Sequence, residues 1–239
     1  MINGMLITVL GLGFVLGLRH ALDPDHLVAI STIVGEHKSV KRSSLVGLFW
    51  GLGHTASLLI AGLAIIILKL HISETIALWM EFAVALMLIL LGARALSRAL
   101  RGWKLHVHMH THDGQRHIHL HLHRPGEDHA HEHRHLLGLG ARPFFIGLVH
   151  GLAGSAGLML LVLATIPSAI AGLIYVGVFG LGSVGGMLIM SSLMSLPFIL
   201  SSKRFSALSE GLQLVAGLLS FAFGLFLVWQ YGFREHLIY

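Results

Sequence analysis

Hydrophobic residues run through this chain in six long stretches, and polar residues gather in the segments between them. The stretches lie near 3–26, 45–69, 76–98, 143–166, 169–200 and 208–231. Each can cross ~30 Å of hydrocarbon as a helix rising about 1.5 Å per residue. The pattern predicts an all-α polytopic membrane protein with six transmembrane helices. The first stretch carries an anomaly. Its apolar run Met5–Leu18 leads into Arg19-His20-Ala21-Leu22-Asp23-Pro24-Asp25-His26 before apolar residues resume at Leu27–Val34. Ionisable groups at membrane depth are costly, usually face the protein interior and mark ion or substrate paths.

Composition removes the soluble alternative, a core helix with a charged end. The 239 residues are 55% hydrophobic and only 11% charged, against roughly 25% charged in soluble domains, and the mean hydropathy is +0.80. The net charge of +5 reports Lys and Arg in the connections. No basic face with interleaved aromatics stands out, so nucleic acid is not an expected partner. With no cysteine, thiol redox chemistry and thiolate metal sites are excluded, leaving imidazole, carboxylate and carbonyl ligands. The start lacks a basic region and a small-residue cleavage site, so no cleavable signal peptide is expected.

The basic residues also orient the chain. Lys38, Lys41 and Arg42 lie in the first connection, eight Lys and Arg from Arg94 to Arg142 in the third, and Lys203 and Arg204 in the fifth. By the positive-inside rule these connections are cytoplasmic and both termini face outward. The expected location is a bacterial or archaeal plasma membrane. The chain also resembles itself. Gly17-Leu18-Arg19-His20-Ala21-Leu22 matches Gly147-Leu148-Val149-His150-Gly151-Leu152, and Gly51-Leu52-Gly53-His54-Thr55 matches Gly180-Leu181-Gly182-Ser183-Val184. Three helices per copy give a 3+3 inverted repeat: residues 1–103, a histidine-rich flexible loop at 104–136, and residues 137–239. Inverted repeats are typical of secondary transporters, whose sites lie near the midplane between the copies.

In a regular helix turning ~100° per residue, His20, Asp23 and His26 share one face and Asp25 falls ~140° away from His20. Pro24 disturbs this. It removes the donor that the His20 carbonyl would use and pushes Asp23 out of helical angles. A bend there could bring Asp25 round, and broken backbone at depth is tolerated where it lines a cavity. His54 and His150 sit at matching motifs of the two halves and complete the candidate metal ligands: His20, Asp23, Asp25, His26, His54 and His150. Thr55, Ser57 and Ser155 could add hydroxyls around them. Glu81 reads as an interfacial anchor. Imidazole with carboxylate suits Ni²⁺, Co²⁺ or Zn²⁺.

Three features of these residues resemble the nickel/cobalt transporter (NiCoT) family. His20, Asp25 and His26 fit its HX4DH signature, RHALDPDHLVAI resembles its RHAxDADHI, and Leu52-Gly53-His54-Thr55 is similar to its LGHS/T motif. The resemblance implies transport of Ni²⁺ or Co²⁺. It covers mainly the first ~100 residues. The acidic motifs of the family's second half have no carboxylate here. Six spans and the stretch HGLAGSAG are more similar to the urease-accessory, UreH-like branch of that superfamily.

Residues 104–136 hold twelve of the nineteen histidines: His106, His108, His110, His112, His117, His119, His121, His123, His129, His131, His133 and His135. Most alternate with one other residue, which in an extended chain places them on one side. Such a tract chelates divalent metals without needing to fold, so it reads as an accessory metal buffer, sensor or delivery arm. The expected function is therefore a divalent-metal transporter and not an enzyme, with no cofactor beyond the carried Ni²⁺ or Co²⁺ (Zn²⁺ as a third candidate). The partners expected are the lipid bilayer, the metal and a candidate cytoplasmic metallochaperone. A metal exporter and a membrane metal sensor or metallochaperone component are the alternatives, and an intramembrane metalloenzyme is the weaker one, since its usual histidine spacings do not occur in the helices. The chain has no Walker-type nucleotide loop.

Overall fold

Each apolar stretch that the structure describes is helical. The computed structural model describes residues 2–37, 39–68, 73–101, 104–112, 115–123, 136–153, 168–204 and 206–238. Its helices are α1 (Ile2–His20), α2 (Pro24–Val34), α3 (Val40–Leu68), α4 (Glu74–Arg101), α5 (Leu136–Gly151), α6 (Ala169–Arg204) and α7 (Ser206–Trp229), the last continuing into a π-helical turn over Gln230–Arg234. Four are long and apolar enough to cross a membrane: Val40–Ile65, Glu74–Leu100, Ala169–Ser202 and Ala207–Arg234. The pair Ile7–His20 and Pro24–Val34, bent by 54°, makes a fifth if taken as one broken span. The chain is thus a helical integral membrane protein with four to five candidate spans among the described residues. Of the fourth expected span, 143–166, only the part to Ala153 is described; residues 154–166 lie outside the described residues.

The first span differs from a straight helix over 3–26. α1 ends at His20, and Asp23 is extended, at φ −61° and ψ 144°, as a residue before proline prefers. The Asp23 amide donates to the His20 carbonyl at 3.1 Å, a tighter turn that replaces the donor Pro24 lacks. Pro24 then opens α2, where a missing N–H costs nothing, and the Leu27 amide closes the first α2 turn on the Asp23 carbonyl at 3.0 Å.

Small residues set how close the helices come. A side chain at Gly17 of α1 would strike the Phe179 carbonyl of α6, and one at Gly182 of α6 would strike the Phe14 carbonyl of α1. The same exchange occurs between α5 and α3: Gly147 lies against the Trp50 carbonyl and Gly53 against the Phe144 carbonyl. A third reciprocal pair joins α4 to α7, with Gly92 against the Phe221 amide and Gly224 against the Ile89 amide. In lipid, where no hydrophobic force drives helices together, such close approach supplies the dispersion contacts that hold the bundle. The larger core packs around α2, with Ala29, Ile30, Ile33 and Val34 against Trp50, Val84, Leu88 and Met187.

The histidine-rich segment, read from sequence as a flexible loop, includes an antiparallel hairpin of β1 (Lys104–His112) and β2 (Gln115–His123). Its register pairs His106 with His121, His108 with His119 and His110 with His117. The alternation that suggested extended chain there also matches the two-residue period of a strand. His129, His131, His133 and His135 lie outside the described residues.

These contacts predict unequal glycine tolerance. Gly53→Val and Gly182→Val should each force helices apart and cost about 1–3 kcal/mol or more, as overpacking does. Gly177→Ala, where a Cβ meets nothing within 4 Å, should be neutral or slightly stabilising. Thermal unfolding in detergent measures all three, and equal effects would contradict the close-contact account.

Candidate metal centre

The break at Pro24 places two carboxylates and two imidazoles on a short, irregular stretch, and α3 and α5 bring one more imidazole each. His20 ends α1. Its Nδ1 lies 2.8 Å from Asp23 Oδ2, and its Nε2 lies 3.1 Å from His54 Nε2 on α3. Asp25 sits in the first turn of α2, where the helix dipole favours a negative charge. Its Oδ1 accepts from the His26 amide at 3.0 Å and lies 3.2 Å from His26 Nδ1. Its Oδ2 lies 2.7 Å from His150 Nε2 on α5.

These contacts assign the nitrogens. An anionic Asp23 accepts Nδ1–H of His20, so neutral His20 presents a lone pair at Nε2. Two lone pairs cannot face one another at 3.1 Å. Either His54 donates its own Nε2–H, or a cation stands between them. An anionic Asp25 likewise accepts from His150 Nε2 and from His26 Nδ1, which leaves His26 Nε2 as a bare acceptor. That atom is buried and has no hydrogen-bond partner among the described residues, and the same holds for His54 Nδ1 and His150 Nδ1. Unpartnered buried polar atoms are costly, and a metal ion satisfies an imidazole lone pair where water is excluded.

Two sets of ligand atoms converge. One atom each from His20, His26 and His54 lie within 4.8 Å of one another, and so do one each from Asp25, His26 and His150. His26 belongs to both sets. Its ring centroid lies 4.6 Å from that of His20, 5.3 Å from His54 and 4.1 Å from His150. Exposure is 6% for His20, 1% for His26 and 0% for His54 and His150, so the imidazoles are closed off from solvent. Asp23 stays outside both sets, with its side chain 41% exposed; it orients His20 through Nδ1.

Of the hydroxyls expected nearby, Ser57 donates to the His54 carbonyl at 2.7 Å and Thr55 to the Gly180 carbonyl at 3.1 Å, so both tie backbone. Ser155 lies outside the described residues. Sequence reasoning missed the aromatic walls. Trp50 stacks on His26 with centroids 5.5 Å apart, and Phe179 lies 5.6 Å from His20. A signal was present: each aromatic directly precedes a Gly-Leu-Gly, at Trp50-Gly51-Leu52-Gly53 and Phe179-Gly180-Leu181-Gly182. Ser183, which follows the second Gly-Leu-Gly as His54 follows the first, is buried, and its hydroxyl has no partner among the described residues.

The profile of the family described as high-affinity nickel-transport protein matches residues 6–231 of this chain. The urease accessory protein UreH of Bacillus sp. (strain TB-90) is 39% identical over 97% of this chain and 95% of its own length. Two chloroplast proteins of Arabidopsis thaliana, FOR GROWTH AND FERTILITY 2 and 1, are 32% and 30% identical over 73% of this chain, and the matches cover 44% and 46% of their lengths. No solved structure matches the chain.

Asp23→Asn tests the orienting contact, because Asp23 reaches the cluster only through His20. Partners that orient a metal-ligating histidine are typically worth about 10–100-fold in metal affinity. Calorimetric titration of the detergent-solubilised variant with Ni²⁺ should show a loss of that order. An unchanged affinity would detach His20 from the metal.

Proposed function

The chain belongs to the high-affinity nickel-transport protein family, and from that membership we propose that it carries Ni²⁺, with Co²⁺ as the closest competitor, through the buried cluster of His20, Asp25, His26, His54 and His150. The observation that carries this reading is His26 Nε2: buried, without a partner among the described residues, on a ring surrounded by three other imidazoles. A borderline divalent cation suits such neutral nitrogens beside a carboxylate. The same ligands must release what they bind, since conduction requires exit as well as entry. Sharing of His26 between two ligand sets offers a physical route: the ion can pass from the set with His20 and His54 to the set with Asp25 and His150 without leaving His26.

The 3+3 inverted repeat belongs to this proposal. It is supported by the reciprocal contacts of Gly17 and Gly182 and of Gly147 and Gly53, which exchange partners as the matched motifs require, and by the contact of Gly92 with Gly224's helix, which joins the last helix of each copy. Helix pairs α1–α6 and α3–α5 would then be equivalent bodies on either side of the cluster, and rocking one against the other would alternate access. On this reading the termini face outward in a plasma membrane. The histidine hairpin, cytoplasmic, raises local metal concentration and hands metal to or from a metallochaperone. Glu81 remains outside the ligand sets.

Proteoliposomes tested in both directions with Ni²⁺, Co²⁺ and Zn²⁺ should show saturable flux of Ni²⁺ or Co²⁺. His26→Ala should abolish it at unchanged membrane abundance, and normal flux in that variant would refute the assignment. Only a neutral imidazole offers a lone pair to metal, so flux should fall as acidification protonates the histidine ligands. Deletion of residues 106–135 with a short linker should preserve flux and weaken the apparent affinity at low metal. Complete loss in an inserted deletion variant would put the segment in the conducting path.

A further inference from the structure

Away from the histidines, at the end of the bundle where α2 runs into α3, lies a cavity of about 660 Å³. That is within the ~300–1,000 Å³ typical of small-molecule sites. Four arginines line it, Arg42, Arg94, Arg98 and Arg142, from three helices, and Glu36 is the one carboxylate in its described lining. Glu36 follows α2 and is held by Arg98 and by Arg142 Nη1 at 3.5 Å. Burial opposes ionisation of Glu36, yet the Arg98 and Arg142 guanidinium groups hold its carboxyl below the usual carboxylate range.

The charge does not close. One carboxylate faces four guanidinium groups, which stay protonated at any physiological pH. Arg42, Arg94 and Arg98 are exposed and Arg142 is partly buried, so the excess positive charge is open to an anion entering from solvent or from a headgroup. Guanidinium forks match phosphate oxygens, two parallel N–H bonds to each. Ser209 and Gln213 also line the cavity and can donate to further oxygens. The position adds to this. The cavity walls are membrane helices, and it opens at the end that carries the basic connections. Basic pockets between membrane helices at such a level take phospholipid headgroups.

We propose that this cavity is a binding site for a phosphate group, gripped by Arg94 and Arg98 with Arg42 and Arg142 around it. Glu36 occupies part of the same guanidinium surface, so an entering phosphate competes with it for Arg98 and Arg142. Because Glu36 sits at the end of α2, whose first turn carries Asp25 and His26, the anion would act on the stretch that joins the metal cluster to this end of the bundle. The site does not depend on the identity of the carried metal.

Two sources of phosphate are separable on the full-length protein in detergent. Native mass spectrometry with added phosphatidylglycerol and cardiolipin, against phosphatidylcholine, reads headgroup binding. Thermal unfolding with inorganic phosphate, against chloride at equal ionic strength, reads free phosphate. Selective retention of the anionic lipids assigns the site to a headgroup, and a rise in unfolding temperature with phosphate alone assigns it to a soluble anion. Either effect should weaken about tenfold in Arg94→Gln/Arg98→Gln, since charged hydrogen bonds are lost. Ni²⁺ titration of that variant checks that the histidine cluster is intact. Should the double variant not fold, Arg42→Gln and Arg94→Lys, each measured alone, replace it. No preference for phosphate over the controls, or wild-type binding in folded variants, overturns the proposal.

Discussion

A proline one turn past His20 governs this structure. Lacking a donor, Pro24 cannot continue α1, and the residue before it cannot stay helical. The chain makes a tight turn at His20–Asp23 and restarts as α2. In hydrocarbon such a break is tolerable only inside protein. The bundle therefore has to wrap the break, and the break puts Asp25 at a helix N-terminus with His26 beside it. Every close contact of the histidine cluster descends from that enclosure. His54 and His150 reach it because α3 and α5 must cover it, and Trp50 and Phe179 shut out water.

Enclosure depends in turn on the glycines. α1 meets α6, and α3 meets α5, with backbone against backbone at Gly17, Gly182, Gly53 and Gly147. Side chains there would hold the helices apart and open the imidazoles to solvent or lipid. The glycines that carry the packing stand in the same motifs as His20, His54 and His150, so one short sequence element fixes both the separation of two helices and the depth of a ligand. The matched motifs of α1 and α5, and of α3 and α6, look alike in sequence even where their chemistry differs. Ser183 stands where the first half has His54, and the carboxylates of the cluster all come from α2 and the turn before it.

Charge is divided along the bundle. The buried imidazoles and Asp25 lie where α1, α2, α3 and α5 meet, while one end of the bundle holds guanidinium groups around Glu36. These two polar regions are joined by α2, which carries Asp25 in its first turn and ends two residues before Glu36. A cation at one end of this short helix would hold α2 through Asp25, whereas an anion at the other would loosen the grip of Arg98 and Arg142 on Glu36.

Much of this was legible in the residues themselves. Apolar runs of membrane length, an ionisable block inside the first of them and Pro24 within that block forecast buried helices and a bend with metal-binding chemistry. Alternating histidines forecast extended chain, and the hairpin paired it. Other features needed three dimensions. A helical wheel put Asp23 with His20 and His26 and turned Asp25 away; the bend left Asp23 half-exposed as a support for His20 and brought Asp25 onto His26 and His150. Helical period is a local property, and it stops predicting at a break. The matched motifs suggested that His54 and His150 join the first-helix cluster, but the chain alone could not say that one would meet His20 and the other Asp25, or that Arg42, Arg94, Arg98 and Arg142 would surround one cavity. Those residues are distant in sequence, and only the packing of helices against helices, set by where glycine lets backbones touch, decides which of them become neighbours.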